Sequence, residues 1–285
     1  MKINRATPDK HEYLQITSSI AKSPKSLYFI GKIPITRIPS VAIIGSRKPS
    51  PYGKEVAAQL AHNLAKRGIV IISGLALGTD AIAHKSALEA NGITIAVLGN
   101  GLPEIYPSSH RVLAEQIVLS GGAIITEYEP GTPARPFRFL ERNRIVSGLS
   151  DAIIIVEATA RSGTLNTASH ALEQGREVFA VPGNITSPLS SGCNALIKQG
   201  AHPATCAEDI LEIIAPHLLE QQTALPLGRT PLETSIIGLL QSGIRDGEQL
   251  QQYANISAAE FSQSLTMMEL GGLIRPLGGN QWTLR

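Results

Sequence analysis

The sequence is poor in the features that announce most specialised protein classes. It has only two cysteines in 285 residues, Cys193 and Cys206. They stand too far apart for a C-x-x-C metal or redox motif, which excludes a disulfide framework and leaves buried or inert thiols. Aromatic residues make up 4%. No apolar run approaches the roughly 20 residues that span a bilayer, and the polar start MKINRATPDKHEY lacks the apolar centre of a secretory signal. No membrane association and a cytoplasmic location are the expectations. The net charge of +2 is too small to mark a nucleic-acid-binding protein by itself.

The familiar phosphate and catalytic signatures are missing too. VAIIGSRKPSPYG, Val41–Gly53, reads as a buried strand entering a glycine turn and then a helix. It carries neither G-x-G-x-x-G nor G-x-x-x-x-G-K-[ST]. The chain has no G-x-S-x-G elbow, no H-E-x-x-H and no carboxylate cluster at metal-ligand spacing, so neither a catalytic set nor a metal site is assigned. Asp80 and His84 stand four residues apart. On a helix they share a face, with Asp80 orienting the helix start and His84 satisfying it.

What is present is periodic. VAIIG, IVIIS (69–73), TIAVLG (94–99), AIIT (123–126), AIIIVE (152–157) and EVFAV (177–181) are continuous apolar strands. Such strands are covered on both faces, as in a parallel sheet between helix layers. Helical stretches lie between them, one with Ala57, Leu60 and Leu64 on a face and another with Leu165, Ala168 and Leu172. The fold class is therefore α/β: a Rossmann-like, doubly wound, mostly parallel sheet over residues 41–214.

Residues 1–40 read as an extension, with SLYFIGKI a possible edge strand or hairpin. Residues 215–230 read as a linker. In 231–285, capping boxes at Thr230–Glu233 and Ser257–Glu260, the apolar stripe Phe261, Leu265, Met268 and the glycine turn of LIRPLGGNQWTLR spell a small C-terminal winged-helix domain. Its second capped helix holds Glu260 and Glu269 and no Lys or Arg, the wrong sign for seeking phosphate. A partner contact suits it better than DNA reading.

Charge is unevenly spread. The tail from Pro231 has three Arg against five acidic residues, so the positive excess belongs to the first part. Arg135, Arg138, Arg142 and Arg144 lie within ten residues against one Glu141, and Phe137 and Phe139 are interleaved with them. Aromatic faces for bases beside guanidinium groups for phosphates suit single-stranded nucleic acid. Four turns, GSRKPS, SGLALGTD, GNGLPEIYP and ARSGTLNT, bring backbone N–H groups and small hydroxyls to strand ends, where they can nest anions.

GSRKPSPYG, SGLALGTDAIAH, GNGLPEIYP, FRFLERNRIVSGLS, EATARSGTLNTASHALEQGREVFAVPG and GCNALIKQGA, in this order, closely resemble the DNA-processing protein A family, also called Smf. The match covers about residues 25–215. The resemblance implies a Rossmann-like domain that binds single-stranded DNA, forms a homodimer, protects incoming DNA and loads the RecA recombinase in natural transformation and recombination. It implies no cofactor and no catalysis. Position by position, it implies DNA contacts at Gly45, Ser46 and Arg47, at Ser73 and Gly74, at Phe139, Arg142, Asn143 and Arg144, and at Ser162, Gly163 and Thr164. Charge adds Arg138. Leu140 stands where the family often has proline, and Thr79 where isoleucine is usual. The N-terminal stretch leaves no room for the helical domain of many members. The competing enzyme reading rests on relatives that cleave the ribosyl bond of nucleoside monophosphates. ARSGTLNT is only loosely similar to theirs, and Thr167 stands where they have glutamate.

Overall fold

The computed structural model describes residues 2–219 and 230–284. They belong to two compact units, residues 1–219 and 220–285. The first is built on a nine-stranded sheet: β1 (Asn4–Ala6), β2 (Leu27–Gly31), β3 (Ser40–Ile44), β4 (Val70–Ser73), β5 (Thr94–Val97), β6 (Ala123–Thr126), β7 (Ala152–Ile155), β8 (Glu177–Ala180) and β9 (His202–Pro203). Their spatial order is β1-β2-β6-β5-β4-β3-β7-β8-β9. From β6 to β9 every neighbouring pair is parallel. Winding runs outward from β3 through β4, β5 and β6 on one side and from β7 through β8 and β9 on the other. The direction of winding thus reverses between β3 and β7, the place where such sheets open a crevice at their carboxyl edge.

The strands are continuous apolar runs because both faces are covered. Ala42 and Ile44 of β3 join one core with Ile153, Ile155 and Ile145. Val41 and Ile43, pointing the other way, join a second core with Leu60, Leu64 and Ile210. The covering helices are α1 (Pro51–Lys66), α2 (Thr79–Glu89), α3 (Arg111–Leu119), α4 (Pro136–Gly148), α5 (Thr164–Glu173), α6 (Ser191–Lys198) and α7 (Ala207–Ile214). In α5 the buried face is Thr167, Ala168 and Ala171, whereas Leu172 stands 61% exposed, so the apolar stripe read from the sequence is rotated. Burial pushes the Cys193 thiol up to about 11, which keeps it an unreactive core residue.

The first forty residues are not an extension. β2 pairs antiparallel with β6 on one side and with β1 on the other, so SLYFIGKI forms an internal strand and β1 is the edge. Tyr13, Leu14 and Leu27 are wholly buried in the first core. The Tyr13 hydroxyl lies 2.8 Å from Ser40 Oγ, and burial pushes its phenol up to about 12. At the other end, Ala215, Leu218 and Leu219 still pack on the second core. The rest of the expected linker, 220–229, lies outside the described residues.

The second unit consists of α8 (Pro231–Gln241), α9 (Gly247–Ala254), α10 (Ala258–Leu270) and the hairpin β10 (Ile274–Gly278) and β11 (Gln281–Leu284). Thr230 Oγ1 accepts from the Glu233 N–H, and Ser257 and Glu260 form a reciprocal capping box. Ile236, Leu250, Phe261, Leu265 and Met268 form its core. This is a winged helix.

Because the N-terminal segment contributes to the main core, Leu27→Ala should destabilise the protein by about 2–5 kcal/mol. Chemical denaturation measures this. An unchanged midpoint would mean that the segment is an appendage after all.

Candidate nucleic-acid interface

The turn after β3 is clamped on two sides. The Ser46 carbonyl accepts from both the backbone N–H and the hydroxyl of Thr79, each at 3.1 Å. The Gly45 carbonyl accepts from Thr164 Oγ1 at 3.2 Å. Gly78, at φ +80°, permits the first contact, since a Cβ there would lie 2.5 Å from the Ser46 carbonyl oxygen. The turn is therefore rigid and presents Arg47 outward. Among the described residues Arg47 is exposed and has no carbonyl or carboxylate partner.

The start of α1, where a dinucleotide fold seats its pyrophosphate, is already occupied. Glu157, 2% exposed, accepts from the Ser50 N–H at 2.9 Å and the Ser50 hydroxyl at 2.5 Å. Ser50 Oγ in turn accepts from the Gly53 N–H. A carboxylate thus supplies the negative charge that the helix N-terminus favours. This accounts physically for the missing G-x-G-x-x-G pattern.

Helix α4 begins with Pro136, whose fixed φ suits a first helical position, preceded by an extended Arg135. Arg142 from this helix is 5% exposed and donates to the Val97 carbonyl. Its guanidinium presses on Gly74: a Cβ there would sit 2.0 Å from Nη1, so only glycine fits. Burial pulls the Arg142 pKa down while the charge of Asp80 holds it up, and nearby Arg47 lowers it further. Burial raises Asp80, opposed first by Arg142 and then by the N–H groups of Ala76 and Gly74, at 3.3 and 3.0 Å.

The expected contacts sort accordingly. Gly45, Arg47, Phe139, Arg142 and Asn143 line one cleft of about 390 Å³, which the Ser162-Gly163-Thr164 turn closes. There Ser162 Oγ donates to Thr164 Oγ1 at 3.0 Å, and Asn143 donates to Asn166 Oδ1 at 3.2 Å. Ser46 is engaged through its carbonyl. Ser73 and Gly74 do not offer groups to a ligand: the Ser73 hydroxyl is wholly buried and donates to the Ile43 carbonyl at 2.7 Å, and the Gly74 N–H is taken by Asp80. Arg144 faces away and grips both carboxylate oxygens of Glu127, at 2.9 and 2.6 Å. Arg138 donates to the Pro133 carbonyl and lies over the Tyr128 and Phe137 rings. The pairing of Asp80 with His84 is also corrected. His84 Nδ1 lies 2.6 Å from Thr94 Oγ1, whose own hydrogen goes to the Ile71 carbonyl, so the imidazole donates. Burial pushes its pKa down to about 3, so it is neutral.

Two residues that carry the site do not stand out in the sequence. Glu157 is one. The other is Tyr106, half exposed, whose ring stacks on Phe139 at 5.2 Å between centroids and 28° between planes. The tyrosine-proline step in GNGLPEIYP is the one signal that could have found it. No cluster of three or more His, Cys, Asp or Glu able to hold a metal occurs among the described residues, and no helix there is long and apolar enough to cross a membrane.

Arg142→Met removes the nearby positive charge that opposes the burial of Asp80, leaving the carboxylate only the Gly74 and Ala76 N–H groups, and should destabilise the protein by a few kcal/mol. The folded pKa of Asp80, already above its ordinary 3.8, rises further. A raised folded pKa gives stability that is full below the unfolded value and is lost as pH climbs through the folded one. Both proteins lose this contribution as pH climbs above the ordinary carboxylate value, and the variant goes on losing it to higher pH, so its deficit against the parent should be larger at neutral than at acid pH. Denaturation at several pH values tests this, and a pH-independent deficit contradicts the pairing.

Comparison with known proteins identifies the family. Residues 4–215 match the family model described as DNA recombination-mediator protein A, and residues 220–280 match the DprA winged helix domain. Protein Smf of Escherichia coli is 48% identical over 189 residues, covering 66% of this chain and 50% of that protein. The DNA processing protein DprA of Streptococcus pneumoniae is 41% identical over 194 residues, 68% of each chain. The crystal structure of the Streptococcus pneumoniae protein aligns with a TM-score of 0.69 at 37% identity, over 75% of each chain. A Helicobacter pylori structure, described as giving the single-stranded DNA binding mode of its DNA processing protein A, aligns at 0.65 and 32%, covering 76% of this chain and 97% of that one. The chain spans about half the length of the Escherichia coli and Mycobacterium tuberculosis relatives it matches. It belongs to the DNA-processing protein A family, also called DprA or Smf.

Proposed function

We propose that the cleft between the β3 and β7 turns binds single-stranded DNA through its backbone and unpaired bases, without making or breaking a bond. The observation that carries this is Arg47: a guanidinium on a clamped turn, exposed, without a partner among the described residues, in the same cleft as Phe139. Such a group can grip two oxygens of one phosphate. The Phe139 and Tyr106 rings offer stacking faces that are independent of sequence. These faces sit within a concavity, so an unpaired base reaches them and a paired one does not. The Helicobacter pylori relative, described by its single-strand binding mode, supports the same reading.

The enzyme alternative needs a glutamate at the position of Thr167 and a free threonine before it. Here that position is a buried threonine, and Thr164 is committed to the Gly45 carbonyl. Within the family role we assign protection of incoming strands and delivery of the RecA recombinase in transformation, with the chain acting as a homodimer in the cytoplasm.

The test compares two arginines in a salt titration with a fluorescent oligothymidylate. Arg47→Ala should weaken binding and reduce the slope of log affinity against log salt by ~0.7, the share of one phosphate on a single strand. Arg144→Ala should leave affinity and slope as they are while lowering stability, because it releases Glu127. Weaker binding only in the second variant would reverse the assignment.

A further inference from the structure

The cleft has two neighbouring depressions, and they differ in chemistry. Leu140, 49% exposed, is the wall between the cleft and a depression of about 620 Å³ on the far side of α4. That depression holds the carboxylates of Glu127, Glu141 and Glu173. Its cations are largely spent: Arg144 is paired with Glu127 and His170 lies 3.5 Å from Glu173, leaving Lys22. Glu141 accepts from the Tyr128 hydroxyl at 2.8 Å, a hydrogen bond that helps burial hold that phenol well above its ordinary range. A polyanion is repelled from this side.

Tyr106 is the wall on the other side. It borders a small pocket of about 80 Å³ beside Arg47 and Phe139, and it also borders a groove of about 610 Å³. The groove has an apolar lining of Pro103, Ile105 and Pro107, with Ser108 and Arg111 beside it and Glu104 as its one carboxylate. Arg111 is 78% exposed and, among the described residues, its only ion pair is with Glu115 one helical turn on, at 3.3 Å. Such a pair holds little energy and is readily exchanged for a phosphate.

We propose that the bound strand leaves the cleft across Tyr106 and continues into this groove, where a base lies against Tyr106 and the apolar lining and its phosphate meets Arg111. The carboxylates beyond Leu140 close the opposite exit. This rests on the single-strand reading above and extends it, giving the strand one direction and Arg111 as a further DNA-binding residue.

The test uses the full chain and oligothymidylates of about 4 and about 16 nucleotides, the range over which single-strand sites vary in size. Arg111→Glu lies on the surface and keeps the fold. It should weaken the longer oligomer by about tenfold, because a carboxylate then faces the phosphate that the guanidinium held, and leave the shorter one unchanged. Tyr106→Ala should weaken both, since its ring also supports Phe139. Ultraviolet cross-linking of an iodouracil-substituted oligomer should map to residues 103–111. Equal binding of both lengths by Arg111→Glu, or cross-links at Tyr128 or within 166–174, overturns the path. If Arg47→Ala still weakens both oligomers, the cleft stands and only the path fails. If Arg47→Ala changes neither, the single-strand reading has failed and the path with it.

Discussion

Everything at the carboxyl edge of the sheet depends on one buried guanidinium. Arg142 reaches from α4 to the Val97 carbonyl, lies flat against Gly74 and faces the charge of Asp80. Burying that charge is tolerable because a carbonyl accepts from it, the charge of Asp80 offsets it and a glycine yields room, while its Nε has no partner among the described residues. Asp80 in turn holds the N–H groups of Gly74 and Ala76, so the β4 turn is fixed to the start of α2. Phe139, one turn back along α4, and Asn143, the next residue, are held in the cleft with Arg142. The buried charge serves geometry, whereas Arg47 stays exposed for the proposed phosphate contact.

A second constraint acts at the reversal point. The carbonyl of Gly45 is tied to Thr164, and Ser50 is tied to Glu157, so the turns after β3 and β7 run side by side and are joined at both ends. The carboxylate of Glu157 satisfies the start of α1. A site built for a dinucleotide would leave those donors open for pyrophosphate. Here the anion is internal, and the proposed phosphate contact therefore falls to Arg47 outside it. The winged-helix unit shows a parallel economy of charge. Glu260 of α10 is engaged with Ser257 in a cap, and the helix offers phosphate no cation.

The sheet is legible in the sequence because its signal is local. Six apolar runs such as VAIIG and AIIIVE become six strands. The N-terminal segment is not, since SLYFIGKI is bounded by polar residues and its burial depends on pairing with β6, nearly a hundred residues later. The arginine cluster is legible as a cluster but not as contacts. Within Arg138, Arg142 and Arg144, spacing cannot reveal that one meets Val97, another Glu127 and the third a carbonyl in its own approach loop. For Ser73 and Gly74 the glycine turn signals an anion, and the anion turns out to be the protein's own Asp80. Tyr106 is hidden because stacking on Phe139 joins residues from different turns.

The most direct test is a crystal structure of the protein with a short oligothymidylate. The account predicts a phosphate within hydrogen-bonding distance of Arg47 and a base against the Phe139–Tyr106 pair, with Arg142 still held on the Val97 carbonyl. A phosphate bound by Arg142 or Arg144, with Arg47 left in solvent, would contradict it.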